Sequence, residues 1–153
     1  MDEKVLVIVP AYNEEKNIRI VTNDIKKSVP NCDILVVNDC SSDATGEIAR
    51  SIEGVKVVNL PHNMGIGGAV QTGFMYAHRN DYDFVVQVDG DGQHIAQEVD
   101  RLIDTIKSQN MDVVIGSRFL GVESYRSSCY RRVGIRLFYW IYKVLLGIKV
   151  TDG

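Results

Sequence analysis

Cysteine is scarce in this chain: Cys32, Cys40 and Cys129 are all it has. An odd number with no CxxC pair is no disulfide framework and offers no zinc-ligand spacing, and a reducing cytoplasm fits it best. None of these thiols has a recognisable base partner nearby in sequence, so they read as core or incidental residues. The start, Met1-Asp2-Glu3-Lys4, lacks the basic, apolar, small-residue order of a secretory leader and runs directly into a strand pattern. The expectation is a protein that begins folded and stays inside the cell. In the apolar stretch from Tyr130 to Lys149, Arg136 and Lys143 interrupt the pattern, and its longest uncharged run is far short of the ~20 residues needed to span a bilayer. There is no internal repeat and no low-complexity segment. A net charge of −3, with no aromatic residues interleaved in a basic groove, disfavours a nucleic-acid partner.

What is present suits one soluble domain with its own core: 153 residues, 45% hydrophobic and 24% charged. The charge is uneven. Residues 1–115 carry 18 acidic and 10 basic side chains, whereas 116–149 carries seven basic ones against Glu123 alone. That basic segment either meets something anionic or is a solvated face.

Short apolar runs rich in Val and Ile recur at Val5–Val9, Ile34–Val37, Val55–Val58, Phe84–Val88 and Val113–Ile115. Each is too short for a helix and too continuous for a strand with one wet face, so they predict buried, mostly parallel strands. Between them lie helix-period sets: Ile18, Val21, Ile25; Ala44, Ile48, Ala49, Ile52; Val70, Phe74, Ala77; Val99, Leu102, Ile103, Ile106. The alternation predicts an α/β, Rossmann-like sheet with helices on both faces. Ser42 or Asp43 is placed to cap the second helix, with Glu47 in its first turn, and Asn13 to start the first. From Tyr130 to Lys149 an apolar stripe, Val133, Leu137, Trp140 and Val144, faces Arg132, Arg136 and Lys143. This predicts an amphipathic helix that lies on a membrane surface or packs into the core.

The strongest local signal is Val88-Asp89-Gly90-Asp91-Gly92-Gln93-His94. A buried strand ends in carboxylates at i and i+2, with glycines that let the backbone turn and an amide oxygen beyond. Hard oxygen donors suit Mg²⁺ or Mn²⁺, which neutralises a diphosphate. The strand's carboxyl end is where open α/β sheets bind ligands. Alone, such a pattern is also an ordinary polar turn. His94 is a neighbour of that loop or a surface residue, and His62 and His78 carry no signal.

Two further strand ends support it. Asn38-Asp39-Cys40-Ser41-Ser42-Asp43 puts Asp39 where it can accept from a base N–H. Pro10-Ala11-Tyr12-Asn13-Glu14 offers Tyr12 as a packing surface for a base. The cluster Gly65-Ile66-Gly67-Gly68 is not a dinucleotide fingerprint, because it follows the third strand and has Val70 where a third glycine belongs. Its glycines, Gly67 among them, are read as allowing close approach to a nucleotide or to the acidic loop, and Gly73 as a packing glycine.

These segments, with Gly116-Ser117-Arg118-Phe119, resemble in order the motifs of family 2 glycosyltransferases with the GT-A fold, most closely the polyprenol-phosphate sugar transferase (dolichol-phosphate mannosyltransferase-like) branch. The resemblance covers essentially the whole chain. It implies an inverting, metal-dependent hexosyltransferase. The donor would be a UDP- or GDP-linked sugar and the acceptor a polyprenyl phosphate, at the cytoplasmic face of the membrane in cell-envelope glycan synthesis.

By the same resemblance Pro10, Ala11, Tyr12, Glu14, Asp39, Gly67, Asp89 and Gly90 bind the donor. Asp89, Asp91 and Gln93 hold Mg²⁺ or Mn²⁺, with Asp91 the main catalytic carboxylate. Arg118 and one of Arg131 and Arg132 meet the acceptor phosphate. Thr151-Asp152-Gly153 resembles the start of a further motif, which makes Asp152 the candidate general base and implies a single catalytic domain over 1–153 that continues beyond Gly153. Two positions depart from the family pattern: Asn38 replaces a common Asp, and Ile66 a common Lys. Binding of a nucleotide sugar without turnover, or nucleotidyl transfer to a sugar phosphate, are the competing functions. The second lacks the glycine- and arginine-rich loop it needs after the first strand.

Overall fold

A computed structural model describes residues 3–90, 97–109 and 111–116. The elements run β1 Val5–Ala11, α1 Ile18–Ser28, β2 Cys32–Asn38, α2 Thr45–Arg50, β3 Val55–Asn59, α3 Gly65–Arg79, β4 Phe84–Gln87 and α4 Gln97–Gln109. All lie within one compact unit ending at Val113. The sheet is four-stranded in the order β3-β2-β1-β4, and every pairing is parallel.

The period-two alternation of the strands sorts their residues between two cores. Val5, Val7 and Val9 of β1 join Ile34 and Val36 under α1, α2 and α4, through Ile18, Val21, Ile25, Ala49, Val99 and Ile103. Leu6 and Ile8 join Leu35 and Val37 on the other face, under Ala69 and Ala77 of α3. Because both faces are covered, all seven residues of β1 are buried, which is why its sequence is continuously apolar. Each fully buried Val, Leu or Ile contributes about 1.5–3 kcal/mol of transfer free energy.

The helical set assigned to α3 is corrected. Its buried face is Ala69, Gly73 and Ala77, while Phe74 is 49% exposed. Small residues are needed there because the helix lies against Ile8: a Cβ at Gly73 would stand 2.5 Å from Ile8 Cγ2. Gly73 is therefore a packing glycine, as expected. Among the described residues the predicted strand Val113–Ile115 pairs with no other strand, and Val113 and Ile115 are 72% and 80% exposed. Three apolar residues hold a strand only where a neighbouring edge pairs their backbone, a tertiary condition that their composition does not express. The stretch Tyr130–Lys149 lies outside the described residues. No helix among the described residues is long and apolar enough to cross a membrane.

Successive crossovers carry the chain from β1 to β2 to β3 in one direction. α3 then returns over the opposite face to set β4 on the far side of β1. The point where strand order reverses lies between β1 and β4, and a ligand crevice opens there beyond the strands' carboxyl ends.

Candidate active site at the carboxyl ends of β1, β2 and β4

An open cleft of about 190 Å³ occupies this switch point, lined by Pro10, Ala11, Tyr12, Glu14, Asp39, Ile66, Ala69, Asp89 and Gly90. Seven of the eight positions expected to bind the donor are therefore gathered at one place. Gly67 is the exception: it points to open space, with nothing within 4 Å of an added Cβ. The reason is helical geometry. α3 starts at Gly65, and Ile66 and Ala69, three residues apart, share the face toward the cleft while Gly67 is turned away.

Register brings the strand tips together. Ala11 pairs with Asn38, and the N–H of Asp39 donates to Ala11 O at 2.9 Å, so Tyr12 and Asp39 leave the sheet side by side. On the other flank the N–H of Val88 donates to Ile8 O at 3.0 Å and that of Gly90 to Pro10 O at 3.3 Å. This carries the β4 alignment past Gln87 to the acidic turn. A Cβ at Gly90 would lie 3.0 Å from Pro10 O, so glycine lets the Asp89 turn close on the end of β1.

The cleft side chains differ in their settings. Tyr12 is 49% exposed and offers its ring to the opening. Asp39 is only 3% exposed, and its Oδ1 accepts from the N–H of Met64 at 2.7 Å. Glu14 Oε2 accepts from Asn17 Nδ2 at 2.8 Å, and Asp89 Oδ1 from Gln87 Nε2 at 2.9 Å. Asn38 uses both ends of its carboxamide: Oδ1 accepts from Ser41 Oγ at 2.5 Å, and Nδ2 donates to Asn59 Oδ1 at 2.9 Å. An aspartate there would remove that donor, which is a physical reason for asparagine in this chain.

Two capping expectations change, and the N-cap of α2 is Ala44 rather than Ser42 or Asp43. Asn13 does not start α1, whose N-cap is Asn17. Instead Asn13 adopts φ +56° and its Oδ1 accepts from the N–H of Ser42 at 2.9 Å. Asp43 Oδ1 accepts from the N–H of Thr45 at 2.9 Å at the head of α2, while its Oδ2 accepts from the N–H of Glu15 at 3.1 Å. Burial alone raises the Asp43 carboxyl. Hydrogen bonds from the Thr45 hydroxyl and from the N–H groups of Thr45 and Glu15 outweigh it and hold the group below its ordinary value. Far from the cleft chemistry, burial pushes the Cys32 thiol up to about 11, which suits an inert side chain.

Asp91, Gln93, His94, Arg118, Arg131, Arg132 and Asp152 lie outside the described residues. Among the described residues the cleft lining contains three carboxylates and no cationic side chain. Among the described residues no group of three or more His, Cys, Asp or Glu side chains converges on one metal position. Asp89 is thus the one expected metal ligand whose place is described.

A family model for glycosyl transferase family 2 matches residues 6–138. Undecaprenyl-phosphate mannosyltransferase of Micrococcus luteus is 37% identical over 97% of this chain and 63% of its own length. Polyprenol monophosphomannose synthase of Mycolicibacterium smegmatis is 32% identical over 98% of this chain and 58% of its own. The chain thus spans about three fifths of the length of these curated relatives. Among solved structures, S. aureus TarS 1-349 in complex with UDP superposes with a TM-score of 0.62 at 27% identity, over 77% of this chain and 40% of that one. The mannosyltransferase PcManGT of Pyrobaculum calidifontis shares the fold, with a TM-score of 0.58 at 22% identity over 69% of this chain and 33% of that one. With a parallel α/β sheet of GT-A type, a cleft at its switch point and a family match running from β1 past the described elements, the chain belongs to glycosyl transferase family 2.

Proposed function

We propose that the protein transfers a hexose from a UDP- or GDP-linked sugar to a polyprenyl phosphate, with inversion, as a single catalytic domain working at the cytoplasmic face of the membrane in cell-envelope glycan synthesis. The observation that carries this reading is the cleft in which Tyr12, Asp39 and Asp89 meet at the strand ends of a family 2 chain. In it the nucleoside lies against Tyr12 with a base N–H on Asp39, and the diphosphate extends toward Asp89. Support for the donor class comes from TarS, whose structure holds UDP. Support for the acceptor comes from relatives whose names specify polyprenol or undecaprenyl phosphate.

The carboxylates of the described lining repel a diphosphate, so the site fits a divalent metal held by Asp89 together with Asp91 and Gln93. When bound, Mg²⁺ or Mn²⁺ offsets the charge that gathers on the departing nucleoside diphosphate. The acceptor oxygen forms a bond to the anomeric carbon as the bond from that carbon to the diphosphate oxygen breaks. A phosphate acceptor is already anionic near neutral pH and needs orientation, a role for Arg118 and for Arg131 or Arg132. Asp152 would serve as base only for a hydroxyl acceptor. The basic excess over 116–149 favours the phosphate and a peripheral place on an anionic membrane surface.

The test is transfer by the full protein from UDP- and GDP-sugars to a polyprenyl phosphate with Mn²⁺, read as lipid-linked sugar by mass spectrometry. Transfer that disappears with chelator and in Asp91→Ala is the expected result. Tight nucleotide binding without transfer from any donor would identify a binding module instead. Nucleotide affinity unchanged by chelator and by Asp91→Ala would remove the metal.

A further inference from the structure

The two loops that carry Tyr12 and Asp39 are bonded to each other in both directions. The side chains of Ser41, Thr45 and Asp43 accept from the successive N–H groups of Asn13, Glu14 and Glu15, at 3.0, 2.7 and 3.1 Å. In return, Asn13 Oδ1 accepts from the N–H of Ser42 at 2.9 Å and from its hydroxyl at 3.2 Å, and Glu15 Oε2 accepts from the N–H of Ala44 at 3.2 Å. Register makes the arrangement nearly symmetric. Beyond the Ala11–Asn38 pair, Tyr12 stands beside Asp39, and the next residue of each strand, Asn13 and Cys40, turns left-handed at φ +56° and +58°. Left-handed backbone is unfavourable for residues other than glycine and persists where the surroundings over-determine it.

We infer that Asn13 and Thr45 are positioning residues: by tying the β1–α1 loop to the β2–α2 loop they fix the distance between Tyr12 and Asp39 and so pre-form the nucleoside end of the cleft. Neither needs to touch the nucleotide. Asn13 combines a side chain tolerant of left-handed backbone with an acceptor aimed at Ser42. Thr45 is fully buried, and its hydroxyl both accepts from Glu14 and donates to the Asp43 carboxylate. A cleft assembled only on binding would require the ligand to order both loops, at a cost to affinity. The inference rests on the reading that Tyr12 and Asp39 hold a nucleoside.

UDP and GDP with Mn²⁺ are the probes, titrated calorimetrically against the full protein, with thermal unfolding measured in parallel. Asn13→Gly keeps the left-handed turn but removes the acceptor. Thr45→Val keeps the shape but removes the hydroxyl, and Asn13→Asp and Thr45→Ser are the conservative restorations. The first two are expected to weaken the diphosphate that the wild type binds by about fivefold or more, the equivalent of one net hydrogen bond. The restorations should remain within about twofold. In turnover the loss should fall on KM for the donor with kcat little changed, since the diphosphate end is untouched.

Variants that lower the melting temperature but bind the nucleotide as the wild type does would assign the bonds to stability alone and overturn the inference. If one of the two variants does not fold, the other decides. A wild type that binds neither nucleotide sinks the nucleoside reading itself, which is a different failure.

Discussion

Asp39, at the tip of β2, accepts a 2.7 Å hydrogen bond from the backbone N–H of Met64, the residue that caps the head of α3. The side chain proposed to meet the nucleoside base therefore also anchors a helix 25 residues further along. Two kinds of loss are mixed in any substitution that deletes it, and they separate only when the acceptor is kept and the charge removed.

Asp39→Ala leaves the half-exposed Met64 without the part-buried partner of its N–H and is expected to lower stability by about 1 kcal/mol. Asp39→Asn keeps an acceptor for that N–H and should cost less. Both should weaken a nucleotide whose base carries a ring N–H, by about 1–3 kcal/mol for a lost charged hydrogen bond. Denaturant unfolding and nucleotide titration of the pair check this. Equal weakening for bases that lack the ring donor would take Asp39 out of base recognition and leave it as the anchor of α3.

Opposite outcomes are expected at two glycines of α3. At Gly73 an added Cβ lies 2.5 Å from Ile8 Cγ2 and 2.7 Å from Cδ1, inside a fully buried side chain, so Gly73→Ala should destabilise by about 1–3 kcal/mol through overpacking. At Gly67 nothing lies within 4 Å, and Gly67→Ala should stabilise by about 0.5–1 kcal/mol, the usual gain from alanine in a helix. Unfolding curves for the two variants make the comparison. If Gly67→Ala keeps its gain and yet loses nucleotide affinity, close approach of the donor to this turn, expected from sequence, is restored.

Acid should loosen the loop bonds only at low pH. The Asp43 carboxyl is held below its ordinary value of 3.8, and so is Asp33, which accepts from Lys56 and Tyr82. For a depressed carboxyl the stabilisation is fully present above the unfolded value and is lost as pH falls through the folded one. The stability gap between wild type and Asp43→Asn should therefore be level from about pH 7 to 5 and shrink below about pH 4. Denaturant unfolding at stepped pH reads it, and a gap that widens on acidification contradicts the assignment. Asp33 and Lys56 expose about half of their side chains, so that pair should add only about 0–1 kcal/mol.

Much of the frame was legible in the chain itself. Val5–Val9, Ile34–Val37, Val55–Val58 and Phe84–Val88 all proved to be strands or their immediate continuations, because a parallel sheet covered on both faces demands continuous apolar runs. Polar residues directly after those runs marked the cleft for the same reason: strand ends in such a sheet point to one edge. Ile66 and Ala69 were missed as lining residues, since only the starting point of α3, at Gly65, decides which residues of its first turn face inward. The Val113–Ile115 run shows the limit of the signal, for its composition is that of a strand and it pairs with no strand among the described residues.

By itself, then, the sequence determined the alternation of strands and helices, the parallel sheet and the family, since each follows from local periodicity and from motifs written in consecutive residues. The order β3-β2-β1-β4, the small-residue face of α3 against Ile8, the bond from Asp39 to Met64 and the two-way ties between Asn13–Glu15 and Ser41–Thr45 were decided only by the tertiary structure. Their partners lie 25 to 31 residues apart in the chain wherever side chain meets backbone across the cleft. Such distances close only when the crossover helices have chosen their faces of the sheet and its register is set.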